Sequence, residues 1–295
     1  MTTSRSSLPW LLLAPAGLLI IAIIYVPLVY SALISLTDAH LLRFSSAEFI
    51  GFGNYERLLA RARLTTSLWR TFTYSAGVVV LSFLTGLFVA LLMNRTTMLR
   101  GLTRTLLIIP WATPWLVVTL IWYVMFNPQI GPINEVLNLL GVLDVGHSWL
   151  YSSETAMLSI VIATSWRLFP AVTLILLAGL QGIPPEQYEA AEVDGASAWA
   201  RFRYITMPGI RTVSITMLTL LTIWSSKLFT MAWTLTQGGP GDATRVLSVY
   251  TYQEAFGSNR LGRGSALAVI SLLFSLLLVF VYLIVLRRDE EKAEA

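Results

Sequence analysis

Six stretches of this chain are long and apolar enough to cross about 30 Å of hydrocarbon as helices of roughly 20 residues. They run from Leu11 to Leu36, Thr71 to Met93, Leu106 to Phe126, Ala156 to Leu180, Thr212 to Leu235 and Ala266 to Leu286. Lipid offers no partner to a free backbone N–H or C=O, so each stretch is expected to close its hydrogen bonds internally as a helix. The sequence has none of the short alternating segments that build a membrane barrel. The expected fold class is therefore an all-α membrane protein, residues 1–295 forming one domain of six transmembrane helices. Composition agrees: charged residues make up 12% of the chain, about half of the roughly 25% that a soluble domain carries.

The first stretch follows Ser4-Arg5-Ser6-Ser7 and so resembles a secretory signal. Its apolar segment is too long for one and no small-residue cleavage site follows, so it is expected to remain as a helix. Pro15, Pro27, Pro110, Pro114 and Pro170 each remove a backbone donor inside a span and are expected to bend it. Orientation rests on local charge. The loop from Asn127 to Thr155 contains no Lys or Arg, and Arg287-Arg288 directly follow the last span; positive residues favour the inner side. Both termini are expected in the cytoplasm of a multi-pass protein of a prokaryotic inner membrane. The whole-chain vote is weak. Arg5, Arg95, Arg100, Arg104, Arg201, Arg203, Arg211, Arg287, Arg288 and Lys292 would lie inside. Arg43, Arg57, Arg61, Arg63, Arg70, Arg245, Arg260 and Arg263 would lie outside.

Several kinds of chemistry are excluded. With no cysteine there is no disulfide framework and no thiolate nucleophile or ligand. His40 and His147 stand far apart without metal-ligand spacing, so no metal site and no catalytic residue is assigned. The basic balance is too small and scattered for nucleic acid. Ion-driven carriers usually need carboxylates at membrane depth, yet all 16 acidic residues fall outside the six stretches. The energy for any transport must come from elsewhere. Two cations do lie within spans, Arg167 and Lys227. The cost of a central charge, about 2.5–3.5 kcal/mol on insertion scales, places both against protein or a wet cavity. Arg167, between Trp166 and Phe169, either serves the substrate pathway or a subunit contact, or pairs with backbone carbonyls freed by Pro170. Lys227, close to Phe229, either serves the pathway or snorkels to the interface.

The segment from Gln181 to Arg211 is the most unusual. Pro185 suits a first helical position, and Glu186 and Glu189 favour the positive end of a helix dipole. A short helix is expected from Pro185 to Val193. Asp194-Gly195 would end it, glycine readily taking the positive φ required. A second helix is expected from Ser197 to Thr206, stopped at Pro208, with Trp199, Phe202 and Ile205 as its apolar stripe. Two such helices form a plug for a cleft in a soluble partner, or else lie on the lipid interface.

At this segment the sequence resembles the inner-membrane permeases of binding-protein-dependent ABC importers. Their signature is Glu-Ala-Ala, three residues, Gly, nine residues, Ile, one residue, Leu-Pro. Here it stands as Glu189-Ala190-Ala191, Gly195 and Ile205-Thr206-Met207-Pro208, with Met207 for leucine, a volume-conserving exchange. The likeness extends along nearly the whole chain and is nearest to the carbohydrate-type, maltose-system permeases. Tyr25-Val26-Pro27, Gly51-Phe52-Gly53-Asn54-Tyr55, Ile109-Pro110-Trp111, Leu180-Gln181-Gly182-Ile183-Pro184 and Gln237-Gly238-Gly239-Pro240-Gly241 carry it. The large periplasmic insertion of some relatives is not seen.

The resemblance implies a division of labour. Residues 181–211 would be a cytoplasmic coupling loop in which Glu189, Ala190, Ala191, Asp194, Gly195, Ile205 and Pro208 dock into an ABC ATPase dimer. ATP and Mg would bind on that partner, because this chain has only two lysines and no GxxxxGK[ST] loop. A second homologous permease would complete the pathway, and an extracytoplasmic solute-binding protein would deliver the solute. Gly238, Gly239 and Pro240 form a turn-rich outer segment that would touch that protein or be an ordinary tight connection. Trp111, Trp115, Trp122, Tyr123, Trp166, Phe169, Trp224 and Phe229 would stack on sugar rings or anchor the chain at the lipid interface. The expected function is passage of a di- or oligosaccharide by alternating access, with glycerol phosphate as the rival solute. A polytopic membrane enzyme is the reading from another class, disfavoured because the clustered acids belong to the signature.

Overall fold

In a computed structural model, the described residues are 8–95, 100–142 and 146–294. Arg5 and its serine-rich neighbourhood lie outside them. The order is α1 (Leu8–Ile20), a π-helical turn, α2 (Val26–Ile34), α3 (Gly53–Leu59), α4 (Ala62–Arg95), α5 (Arg100–Ala112), α6 (Trp115–Met125), α7 (Pro132–Leu139), α8 (Ala156–Gln181), α9 (Pro185–Val193), α10 (Ala198–Arg201), a π-helical turn, α11 (Met207–Gly209), α12 (Arg211–Ser226), α13 (Thr230–Thr236), α14 (Leu247–Tyr252), a third π-helical turn and α15 (Leu261–Glu294).

Among the described residues four single helices are long and apolar enough to cross a membrane: Leu12–Ile34, Ala62–Asn94, Ala156–Gln181 and Leu261–Val281. The other two expected spans are not single helices. The third breaks between α5 and α6 with a bend of 95°. Pro114 stands at the break as the N-cap of α6 with extended ψ, where a residue without an N–H costs no helical bond. The fifth, expected whole from Thr212 to Leu235, stops at Ser226 and resumes at Thr230. Pro110 and Pro170, by contrast, lie inside uninterrupted helices. Pro27 opens α2 after a π-helical turn in which the ladder already shifts register.

The chain divides into two compact units. The first, built from residues up to Thr65 together with Tyr250–Leu272, is tied by polar contacts. Asn54, 2% exposed, donates from Nδ2 to the carbonyls of Ser35 and Thr37 at 2.9 and 2.7 Å. Glu254 is 5% exposed, with Arg61 at 3.4 Å and Arg263 at 3.7 Å. Burying a charge is costly unless an opposite charge accompanies it.

The second unit comprises Thr66–Val249 and the chain from Leu273, and α8 is its centre. Two thirds of that span is buried, 67% against 28% for the α4 span. Glycines bring α4 against it. A Cβ on Gly86 would sit 2.6 Å from the Val172 side chain, and one on Gly77 would sit 3.1 Å from Val161. Tyr74 and Thr164 hydroxyls join across the same interface at 2.8 Å. Small residues and hydroxyl pairs are how helices associate where lipid removes the hydrophobic drive.

Candidate functional site

The segment joining α8 to α12 is a two-helix knuckle whose base is buried and whose crown is exposed. Pro185 opens α9 at its first turn, with Glu186 following. The helix ends at Gly195, φ +76°. There the Ala196 N–H donates to Ala191 O at 2.8 Å and the Gly195 N–H to Glu192 O at 3.0 Å. This nested pair is the Schellman closure, and it requires the left-handed residue that glycine supplies. Ser197 then caps α10, its Oγ accepting from the Ala200 N–H at 3.2 Å. The second helix does not stop at Pro208 as expected. A π-helical turn over Phe202–Thr206 leads into α11, which ends at Gly209. That register change precedes the proline, so its missing donor falls at the start of a new α-helical segment.

Two contacts not anticipated from the sequence join the limbs. The Tyr188 and Thr206 hydroxyls meet at 3.0 Å, and Arg201 forms an ion pair with Glu192. The sequence did carry weak signals for them, a tyrosine beside the signature and opposite charges on facing limbs. Below them Ile183, Thr206 and Ile210 are buried, and a Cβ on Gly209 would sit 2.7 Å from Ile183. A recess of about 610 Å³ lies beside the knuckle, bordered by Leu91, Asn94, Tyr188, Arg201 and Phe202. Replacing Tyr188 by phenylalanine is expected to cost about 0.5–1.5 kcal/mol, read as a modest drop in the melting temperature of the detergent-solubilised protein.

The signature residues are distributed accordingly. Glu189, Ala190, Asp194, Gly195 and Pro208 are exposed, while Ala191 and Ile205 are half-buried. Val193 is 89% exposed and Trp199 70%. The expected apolar stripe is therefore split: Ile205 packs on the core, whereas Trp199 faces outward with Phe202 stacked obliquely on it at 5.5 Å. The crown thus presents an exposed tryptophan and valine beside the carboxylates of Glu189 and Asp194.

The remaining candidates fall in three places. Arg167 Nε donates to Thr113 O at 3.1 Å, and its guanidinium carbon lies 3.8 Å from the centre of the Trp115 ring. The carbonyl it meets is thus at the Pro114 break, not one freed by Pro170. Trp166 stands edge-on to Trp122 at 6.0 Å. Lys227 is exposed at the other break, with Phe229 stacked on Trp233 at 5.6 Å. The two cations thus stand at different breaks, Arg167 at the one before α6 and Lys227 at the one before α13.

Gly238 and Gly241 take positive φ and the Gly239–Pro240 peptide is cis. Thr244 Oγ1 donates to Gly239 O at 2.7 Å, so this turn is well tied. It borders a recess of about 530 Å³ together with Tyr123 and Tyr151. A hydrogen bond with Tyr123 raises the pKa of the Tyr151 hydroxyl, keeping it a neutral donor and acceptor. Among the described residues no group of three or more His, Asp or Glu side chains gathers to hold a metal ion.

Comparisons with known proteins agree with this architecture. Residues 79–289 match the family described as binding-protein-dependent transport system inner membrane component. Over 287 residues the chain is 36% identical to the trehalose/maltose transport system permease protein MalF of Thermococcus litoralis, covering 97% of this chain and 96% of that one. Over 283 residues it is 37% identical to the sulfoquinovosyl glycerol transport system permease protein SmoG of Agrobacterium fabrum, covering 95% and 90%. The fold is shared, with a TM-score of 0.81 over 96% of each chain at 21% identity, with a crystal structure of a bacterial ABC transporter that imports the acidic polysaccharide alginate.

Proposed function

The chain belongs to the family of binding-protein-dependent transport system inner membrane components, and from that premise we propose that it is a permease subunit of an ATP-driven importer of a di- or oligosaccharide. The family's description already supplies a solute-binding protein as a partner. The sugar class is supported by relatives named for trehalose/maltose and sulfoquinovosyl glycerol transport.

The ATPase is a separate subunit, since this chain carries no phosphate-binding loop. It grips the knuckle from the cytoplasm. The observation that carries this reading is the knuckle's construction: an exposed crown of Glu189, Val193, Gly195 and Trp199 on a base locked by Ile183, Thr206 and Ile210. Because the base continues directly into α8 and α12, a force on the crown moves both helices together. ATP binding on the partner favours one facing of the pathway and hydrolysis restores the other, which is a shift between two pre-existing states. A second permease forms the other wall. On the outer side, the Gly238–Pro240 turn and the neighbouring tyrosines meet the binding protein or the arriving sugar, whose C–H faces suit aromatic rings and whose hydroxyls suit phenols.

Reconstitution into liposomes with the ATPase, the second permease and the binding protein tests the reading. Labelled oligosaccharide is expected to accumulate only with all four components and ATP. Movement of the sugar by this chain alone, or accumulation of glycerol phosphate in place of sugar, would overturn it.

A further inference from the structure

A charged side chain at membrane depth is by default a candidate contact for solute or ions. The geometry points to other work for Arg167, and we propose that it is a positioning residue that holds the third span in its broken form. The proposal deepens the permease reading and rests on it only where transport is the readout.

The break leaves a specific electrostatic need. α5 ends at Ala112, so its last carbonyls have no partner further along the helix, and they carry the negative end of its dipole. Pro114 offers no N–H to the carbonyl of Pro110, four residues back. In a setting poor in water each such group is costly. Arg167 reaches both sides of Pro114, meeting not the Pro110 carbonyl but the one at the helix end. Its Nε donates to Thr113 O, the last residue before the proline, at 3.1 Å. Its guanidinium lies 3.8 Å over the ring of Trp115, the first residue after it. One side chain from α8 therefore touches both half-helices at their junction.

Arginine suits this place as lysine does not. A guanidinium is flat, so it can stack on an indole face and donate in its own plane at the same time, whereas an ammonium is a point charge. Trp166, the preceding residue on α8, meets Trp122 on α6 edge-on at 6.0 Å, fixing the outer half-helix a second time. With Nε and one face so engaged, Arg167 sets the bend angle.

The chain's lack of cysteine permits a direct test. Leu102 on α5 and Val124 on α6 are both exposed and accept spin labels after replacement by cysteine. A straight helix would separate them by roughly 33 Å, and the break brings them closer. In the assembled complex, Arg167→Met is expected to broaden the label–label distance distribution and move it to longer distances. Maximal uptake should fall about tenfold, as for loss of a charged hydrogen bond, with the KM for sugar changed less than about twofold. Arg167→Lys should lie between, keeping a donor but losing the stack.

Trp115→Leu should reproduce the broadening, and the double variant should be no worse than Arg167→Met. Should Arg167→Met fail to assemble, Arg167→Lys and Trp115→Leu carry the same measurement. An unchanged distribution in these variants would overturn the proposal. So would an altered KM or solute preference with the bend intact, which would assign Arg167 to the solute. Failure of the wild-type complex to import sugar would defeat the permease reading while leaving the distance measurement valid.

Discussion

Sugar uptake by the reconstituted complex is expected to fall about five- to thirtyfold when Gly195 becomes valine, the factor that a penalty of one to two kcal/mol imposes on an equilibrium. Gly195 closes α9 with φ +76°, a conformation that costs an L-residue about 1–2 kcal/mol and a β-branched residue more. No heavy atom lies within 4 Å of a Cβ placed there, so the penalty inside this chain is backbone strain, not collision. The helix end would relax toward negative φ, the Ala196 to Ala191 bond would be lost and α10 would leave its angle to α9. The buried base is untouched, so the variant should still fold and insert. Asparagine tolerates the left-handed region, and Gly195→Asn should restore most uptake. If asparagine proves as damaging as valine, the bulk of the side chain against the partner, and not its conformation, is what matters.

The largest effect on stability is expected at Gly262. A Cβ there would sit 2.1 Å from the Thr37 carbonyl oxygen and 2.9 Å from Asn54 Nδ2. Its own N–H donates to Ala39 O at 3.0 Å. Neither backbone can yield without breaking that bond or those that Asn54 makes to Ser35 and Thr37. Overpacking costs about 1–3 kcal/mol, and each lost hydrogen bond adds about 0.5–1.5. Gly262→Ala should therefore lower the melting temperature in detergent by about 5–10 °C and reduce the yield of membrane-inserted protein. Gly257→Ala is the control, because a Cβ at Gly257 has nothing within 4 Å and should leave both quantities near wild type.

The sequence made the spans and the knuckle legible for different reasons. Spans show because a long apolar run has few alternatives, and α9 shows because Pro185 and Asp194-Gly195 punctuate both of its ends. The breaks were less accessible. Averaged hydropathy cannot see a bend, and Pro110, Pro114 and Pro170 look alike until the fold shows at which of them the helix breaks. Arg167 lies far along the chain from Thr113, and only the fold reveals that pairing. The second break, at Lys227 to Phe229, has neither proline nor glycine, so no local rule marks it. Glu254 was read as one more acid outside the spans. Its burial between Arg61 and Arg263 depends on an interaction across most of the chain's length.

The central claim is that the crown of the knuckle is held by an ATPase on the inner side of the membrane, and the absence of native thiols allows a single cysteine to test it. Val193 is 89% exposed at that crown. Val193→Cys is expected to resist a membrane-impermeant maleimide in right-side-out vesicles. It should react in inverted vesicles stripped of peripheral proteins, and become protected again when the purified ATPase is restored. Labelling from the outer side, or labelling from the inner side that the ATPase does not diminish, would contradict the account.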